Sequence, residues 1–209
     1  MDVLRREAPG WSAPAVTLVA ETTGDPFRVL ISTILSLRTQ DETTAAASRR
    51  LFARAADPAA MLTLSAVTIA KLIYPVGFYR TKARAIRDVC RALLERFGGA
   101  VPNDLDALLT LNGVGRKTAN LVLTLGFRSQ AICVDTHVHR ITNRWGYVRT
   151  TAPNDTEQAL RRILPAEYWI EINDLLVAFG QRLCRPISPH CSRCPIIAYC
   201  PRRGVEKHR

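Results

Sequence analysis

Residues 111–123 read LNGVGRKTANLVL, which is the most informative stretch of the sequence. Gly113 and Gly115 stand two apart, between a short apolar segment and a helix predicted to begin near Arg116. A dinucleotide-binding loop would need a third glycine, where Thr118 stands, and a preceding strand, which the pattern does not predict. The stretch is therefore predicted to be a tight helix–turn–helix hairpin. Glycines let backbone amides approach an anion closely, and the N-terminus of the next helix favours negative charge.

Two interpretations of the hairpin remain open on spacing alone. Amides directed at a phosphate bind DNA without reading its sequence. A glycine-rich corner between two packed helices needs no ligand. On the first interpretation the candidate DNA contacts are Gly113, Val114, Gly115 and Arg116.

Outward from the hairpin, the periodicity predicts helix nearly everywhere. A stripe of apolar residues at helical spacing runs from residue 81 to 97, and Gly98 ends it. Pro26 opens another helical segment, and residues 116–125 and 166–183 predict further helices. Candidate helix N-caps are Asp57, Ser65, and Asn103 or Asp104. No pair of alternating strands is found, so the predicted fold class is all-α.

The composition predicts a polyanionic partner. The chain has 209 residues, with 29 Lys and Arg against 18 Asp and Glu, and a formal net charge of +11. Nucleic acid is the first candidate partner, and a solvated arginine-rich surface is the alternative. No apolar run approaches the roughly 20 residues of a membrane helix. Residues 11–20 faintly resemble a secretion signal, but Asp2, Glu7 and Pro14 argue against one, so an intracellular protein is expected.

A second informative stretch, AICVDTHVHRITNRWG, covers residues 131–146. An apolar run ends at Asp135, and a basic helix is predicted to follow. An Asp at this place is an ordinary helix N-cap. A catalytic role would need a nucleophile near the carboxylate, and Lys117 is the nearest candidate. His137 and His139 stand two apart, so they lie on different faces of a helix and are not predicted to bind a metal.

The cysteines are unevenly distributed. Four of the six lie close to the C-terminus with the spacing C-x6-C-x2-C-x5-C: Cys184, Cys191, Cys194 and Cys200. In an intracellular chain this cluster favours a metal site over disulfides. Four thiolates suit either zinc or an iron–sulfur cluster, and His190 is a further possible ligand. Cys90 and Cys133 stand in apolar stretches and are expected to be buried thiols.

In this order, the three motifs resemble those of the endonuclease III family of base-excision repair glycosylases. LNGVGRKTAN resembles its helix–hairpin–helix, VDTHVHR its aspartate loop, and the cysteine spacing its [4Fe–4S] signature. The resemblance runs from about Pro26 to Cys200. It implies a bifunctional DNA glycosylase and AP lyase of base excision repair. Such an enzyme removes oxidised pyrimidines from duplex DNA and cuts the strand 3′ to the abasic site by β-elimination.

The resemblance also implies an all-α helix–hairpin–helix glycosylase fold, with a DNA cleft between two domains. A six-helix barrel domain would span residues 25–130, and residues 1–24 and 131–209 would form an iron–sulfur cluster domain. Lys117 would be the catalytic nucleophile that forms a Schiff base, and Asp135 the catalytic aspartate. The four C-terminal cysteines would hold a [4Fe–4S] cluster. The expected protein is a monomer that binds damaged double-stranded DNA in the cytoplasm or nucleoid.

Three residues depart from the family pattern. Asn112 replaces the usual proline of the hairpin and predicts a slightly less rigid turn. Arg38, in LSLRTQD, stands where many bacterial relatives carry a glutamine that fills the gap left by the flipped nucleotide. Phe78, in VGFYRTKA, stands where an apolar wedge, often leucine, is expected, and an aromatic wedge can stack between bases. Arg38 and Phe78 are therefore candidate DNA contacts that affect lesion preference.

Two classes of alternative function fit the sequence less well. An adenine glycosylase would carry a glutamate where Thr33 stands and no lysine at position 117, and a mismatch thymine glycosylase commonly has tyrosine there. Both would be monofunctional. A non-enzymatic DNA-binding protein on the same scaffold would not need Lys117 and Asp135.

Overall fold

The computed structural model describes residues 1–11 and 13–209, and the described residues contain helices and no strands. The all-α class is thus confirmed. In chain order the α-helices are α1 (Asp2–Glu7), α2 (Ala15–Thr23), α3 (Pro26–Ser36), α4 (Asp41–Phe52), α5 (Pro58–Thr63), α6 (Ala66–Ile73), α7 (Tyr79–Phe97), α8 (Leu105–Leu109), α9 (Arg116–Leu121), α10 (Thr136–Arg144), α11 (Pro153–Ile163) and α12 (Ile172–Arg182). In the part of the chain described, no helix has the length and apolarity that a bilayer crossing requires.

The chain divides into two compact units. One unit is Ala15–Ser129, and the other joins Met1–Pro14 to Gln130–Arg209. The sequence predicted that residues 1–24 group with the C-terminal part of the chain. The structure instead places α2 with the middle unit, because α2 packs on α3 and α4 and buries its first turn.

The middle unit is built around α3. This helix contacts α2, α4, α7 and α9, and its residues 29–35 are all buried. A helix that is buried all round in this way belongs in a core, and its two buried hydroxyls, of Ser32 and Thr33, are both hydrogen-bonded. Around it, α4 and α7 each bury one face, which the apolar stripe predicted for α7.

Short polar residues set the helix starts of this unit. The side chains of Asp57, Ser65 and Asp104 accept hydrogen bonds from the backbone amides of Ala60, Thr68 and Ala107, which confirms three predicted N-caps. Of the pair Asn103 and Asp104, the aspartate is the cap. At the other end of α7, Gly98 adopts a left-handed φ of 59° and stops the helix, as predicted.

Two predicted helices differ in detail. Residues 116–125 form α9 followed by a π-helical turn over Val122–Gly126. This turn brings Gly126 against α3, where an added Cβ would lie 3.1 Å from the Cα of Pro26. Residues 166–183 form a 3₁₀ turn at Ala166–Tyr168 and then α12, not one continuous helix.

The unit formed by the two ends of the chain has its own core. Leu4 of α1 is 1% exposed and packs with apolar residues of α10, α11 and α12. Outside this core, Arg5 forms an ion pair with Glu171 at 2.6 Å, and Arg182 donates to the carbonyl of Gly10. These contacts explain why the N-terminal segment belongs with the C-terminal part of the chain.

Candidate functional site

The hairpin between α8 and α9 is a tight turn whose apolar side chains are buried. Leu111 and Val114 are buried, and the amide of Val114 donates to the carbonyl of Leu111 at 3.1 Å. Gly113 has a φ of +79°, a conformation that side chains other than glycine rarely adopt. Val114 therefore closes the turn with both its side chain and its amide. Gly115 precedes α9 and leaves the start of that helix without a capping side chain in front of it.

Asn112 attaches the hairpin to the neighbouring helix. Its side-chain amide donates to Oδ2 of Asp88 on α7 at 3.1 Å, and Asp88 also accepts from Arg91 at 3.2 Å. The hairpin is thus anchored by a contact between side chains 24 residues apart. This contact restrains the turn at Asn112.

Lys117 lies in the first turn of α9. Both Arg116 and Lys117 are partly exposed, whereas the next residues, Thr118 to Leu121, are buried. The helix therefore begins at the surface and runs into the core of the middle unit. Its first turn holds the side chain of Lys117 at the accessible end of a well-packed element.

Asp135 lies immediately before α10 and is 7% exposed. Its Oδ1 accepts hydrogen bonds from the backbone amides of His137 at 2.8 Å and Val138 at 2.9 Å. The N-cap interpretation is confirmed. The same two amides fix the carboxylate relative to α10, so its position is set without a ligand.

The two histidines of α10 have separate surroundings, as the spacing predicted. Nδ1 of His139 contacts Oγ1 of Thr156 at 2.6 Å, and Nδ1 of His137 contacts Arg140 at 3.2 Å. In the described residues, no group of three or more His, Cys, Asp or Glu side chains has the arrangement of a metal-ion site.

The four C-terminal cysteines are free thiols close enough to interact electrostatically. Burial raises the pKa of the Cys191 and Cys194 thiols, and the neighbouring cysteines raise both further. A bound cation would favour the thiolate forms that this cluster of sulfurs otherwise opposes. By contrast, burial raises the pKa of Cys90 to about 12, so that thiol is inert.

Arg144 of α10 organises the segment that carries these cysteines. Its guanidinium donates to the carbonyls of Arg185 at 2.6 Å and Pro186 at 2.7 Å, and lies 3.5 Å from Sγ of Cys184. Its own carbonyl accepts from the amide of Arg203 at 3.0 Å. One side chain and its backbone thus hold both ends of the cysteine segment.

Arg38 and Phe78 meet at the surface of the middle unit. The guanidinium carbon of Arg38 lies 5.0 Å from the centre of the Phe78 ring, and Phe78 is 60% exposed. The sequence named both residues but not their contact, because they lie in different loops.

The sequence motifs did not identify Lys82, which the structure places next to Arg38. Lys82 is 7% exposed, and its ammonium donates to oxygens of residues 35–39. One signal was present: Lys82 precedes Ile86 and Val89 by four and seven positions, which places it on the apolar face of α7. Lysine is rarely buried in this way without partners.

Known proteins similar to this chain match most of its length. Residues 31–166 match the HhH-GPD superfamily of base excision DNA repair proteins. Endonuclease III of Thermotoga maritima is 49% identical over 188 residues, covering 88% of this chain and 88% of that protein. The chain belongs to the endonuclease III family of this superfamily. The predicted resemblance is therefore confirmed.

Solved structures of the endonuclease III family and its neighbours have the same fold. A trapped endonuclease III–DNA covalent intermediate superposes with a TM-score of 0.80 at 36% identity, covering 85% of this chain and 84% of that one. A thermostable thymine-DNA glycosylase superposes with a TM-score of 0.75 at 25% identity, covering 90% and 92%. The endonuclease III structure is thus the more similar of the two in both sequence and fold.

Proposed function

We propose that this chain is a bifunctional DNA glycosylase and AP lyase that removes oxidised pyrimidines from duplex DNA. The observation that carries the proposal is Lys117 in the first turn of α9, directly after the hairpin, in a member of the endonuclease III family. A covalent intermediate with DNA, as in the solved relative, needs a nucleophile of this kind. Tyrosine at this position would have favoured the monofunctional alternative.

Lys117 acts as the nucleophile in this proposal. The damaged nucleotide first leaves the base stack, because its glycosidic bond cannot be reached inside the duplex. The neutral amine attacks C1′ of the sugar, the bond between C1′ and the base breaks, and the base leaves with the electron pair and takes up a proton. Opening of the sugar ring gives a Schiff base. Loss of a proton from C2′ then expels the 3′ phosphate and cuts the strand.

Asp135 supports the same reaction through its charge. The carboxylate accepts the proton released by the amine or stabilises positive charge on the sugar. Two backbone amides already orient it, so it needs little reorganisation when substrate binds. The pairing of an amine with a carboxylate is chemistry that a protein serving only to bind DNA would not need.

The hairpin and the net positive charge allow the protein to bind DNA independently of the DNA sequence. The backbone amides of Gly113 and Gly115, with the side chain of Arg116, contact phosphate. The amide of Val114 instead donates to the carbonyl of Leu111. A formal charge of +11 attracts DNA from a distance. We propose that Arg38 and Phe78 contact the bases around the lesion. One flipped nucleotide requires one active site, so the protein acts as a monomer where the DNA is, in the cytoplasm or nucleoid.

The four C-terminal cysteines are proposed to hold a [4Fe–4S] cluster. The set of four soft thiolates fits such a cluster, and the arginine-anchored segment around them provides the surrounding loop. The cluster would hold this loop rigid, while neighbouring arginines such as Arg185 and Arg193 would supply the positive charge that contacts DNA. No step of the reaction requires an electron from the cluster. Residues 15–129 and the unit formed by the two chain ends are, on this proposal, the helical barrel domain and the cluster domain.

The test is borohydride trapping on two duplexes, one with a single oxidised thymine and one with an abasic site. Adducts on both with the wild-type protein, and on neither with Lys117→Gln, are the expected result, because the borohydride reduces the imine. Lys71→Gln, which removes an exposed lysine on α6, should behave as wild type.

Each other result has a defined meaning. An adduct on the abasic duplex alone would retain the lyase but assign the base pocket to a different lesion. No adduct on either duplex would favour the monofunctional or binding-only alternatives. Iron and sulfide analysis checks the cofactor separately, and stoichiometric zinc would contradict the cluster.

A further inference from the structure

Arg38 and Phe78 are presented from two constrained turns. Arg38 follows α3 and has a φ of 55°, and Phe78 precedes α7 and has a φ of 56°. Residues other than glycine seldom adopt this left-handed conformation, and such strain persists only where the surroundings enforce it. Both side chains are exposed, and the guanidinium stacks on the ring. Contacts with buried residues must therefore stabilise the turns at Arg38 and Phe78.

Lys82 lies beneath both turns. Its Nζ donates to the carbonyl of Leu35 at 2.8 Å, to the carbonyl of Leu37 at 2.5 Å and to Oγ1 of Thr39 at 3.2 Å. These three acceptors surround the residue that carries the exposed guanidinium. Lys82 itself lies one turn into α7, four residues after Phe78, and its backbone amide donates to the Phe78 carbonyl at 3.0 Å. One residue therefore binds the Arg38 turn and continues the Phe78 turn.

Gly77 completes the junction. Its amide donates to Oγ1 of Thr39 at 3.2 Å, the same oxygen that Lys82 contacts. A Cβ at position 77 would lie 2.6 Å from the carbonyl oxygen of Arg38, closer than real contacts allow. The two turns are thus in direct backbone contact, and only glycine fits between them.

A lysine at position 82 is energetically unfavourable if its only role is to fill space in the core. Burial of an ammonium group is unfavourable unless it is fully hydrogen-bonded. An apolar side chain of similar length would fill the space but leave the carbonyls at the end of α3 without this donor. Those carbonyls carry the negative end of the helix dipole, which a cation stabilises. The position of the Arg38 turn is therefore tied to the charge of Lys82.

We propose that Lys82 is a positioning residue that holds Arg38 and Phe78 as one preformed unit. This unit, rather than either side chain alone, fills the space that the flipped nucleotide leaves in the duplex. The ring stacks between bases, and the guanidinium on its face directs N–H donors to the opposite base. Because the two side chains are in contact, displacing one moves the other. The inference rests on the proposed function, since it assumes a flipped nucleotide.

The first experiment compares Lys82→Met with Lys71→Met. The readouts are single-turnover excision of oxidised thymine from duplex DNA and borohydride trapping on a single-stranded abasic oligonucleotide, which needs no flipping. We expect Lys82→Met to slow excision about tenfold or more and to leave trapping within about twofold of wild type, because misplacement of binding groups slows reaction without removing the nucleophile. Lys71→Met should change neither rate by more than about twofold.

The second readout reports the unit directly. A duplex carries 2-aminopurine opposite a stable abasic analogue. Saturating wild-type protein should raise the fluorescence of the 2-aminopurine, because insertion of Arg38 and Phe78 unstacks that base. Lys82→Met should give a smaller rise at saturation. Gly77→Ala perturbs the same junction without touching the lysine and should behave alike, so the test stands even if one variant folds poorly.

A double-mutant cycle tests whether the pair acts as one. If it does, Arg38→Ala, Phe78→Ala and the double variant should slow excision to a similar extent, since either single change removes the unit. Additive effects would overturn the inference. So would Lys82→Met with wild-type excision and fluorescence, or with equal losses of excision and single-strand trapping. Absence of any adduct with the wild-type protein would instead contradict the proposed function.

Discussion

At the scale of single residues, Asp135 has two roles that substitution can separate. Its Oδ1 caps α10, and its charge is proposed to assist the reaction. Asp135→Asn keeps a good N-cap and removes the charge, so we expect near wild-type stability and a loss of excision of about a hundredfold or more. Asp135→Ala should lose both, with about 1 kcal/mol of unfolding free energy. Urea unfolding and single-turnover excision measure the two effects, and equal activity of Asp135→Asn and wild type would contradict the catalytic role.

Lys82 makes stability depend on pH. Burial lowers its pKa from 10.5 to about 8. Below pH 8 the lysine is protonated in both the folded and the unfolded chain. Burial of the charged ammonium then lowers the free energy of unfolding by its full amount. Between the two pKa values only the unfolded chain binds the proton, so the free energy of unfolding rises with pH.

The variant Lys82→Met isolates this effect, because every other group titrates equally in both proteins. We expect the unfolding free energy of wild type, relative to the variant, to rise by about 1 kcal/mol per pH unit between pH 8 and 10. Urea titrations across that range measure it. A flat difference would contradict the lowered pKa, because it would mean that the folded protein keeps the Lys82 proton across this range.

At the scale of elements, the hairpin depends on α7. The hydrogen bond from Asn112 to Asp88 ties the hairpin to that helix. We expect Asn112→Ala and Asp88→Ala each to lower the unfolding free energy by about 1 kcal/mol, and the double variant to lose clearly less than the sum. Both should also weaken binding to abasic DNA, measured by anisotropy at fixed salt. Strict additivity would show that the two side chains do not support each other.

At the scale of the whole molecule, each unit has its own core. Loss of the cluster should therefore destabilise only the unit that carries the four C-terminal cysteines. Cys194→Ser should lower the iron content and speed amide hydrogen exchange in α10 and the cysteine segment, because Arg144 connects them. Exchange in α3 and α7 should stay unchanged. Cys90→Ala, a buried thiol of the other unit, should retain the iron. Faster exchange throughout the chain would contradict two independently stabilised units.

Much of this protein could be predicted from short-range signals. Helix periodicity, the caps Asp57, Ser65 and Asp104, and the left-handed Gly98 act between residues a few positions apart, where sequence is informative. The candidate catalytic residues Lys117 and Asp135 came from the resemblance of their motifs to those of the endonuclease III family, and the structure places each at a helix start.

Only the tertiary structure decided which distant residues meet. The placement of α2, the bond from Asn112 to Asp88, the stacking of Arg38 on Phe78 and the burial of Lys82 each join residues separated in the sequence. The periodicity of a helix gives the face that is buried, but not the partner that covers it. The sequence by itself therefore determined the fold class, the family and the chemistry-bearing motifs. The tertiary structure determined how those motifs are held, because that depends on packing between elements.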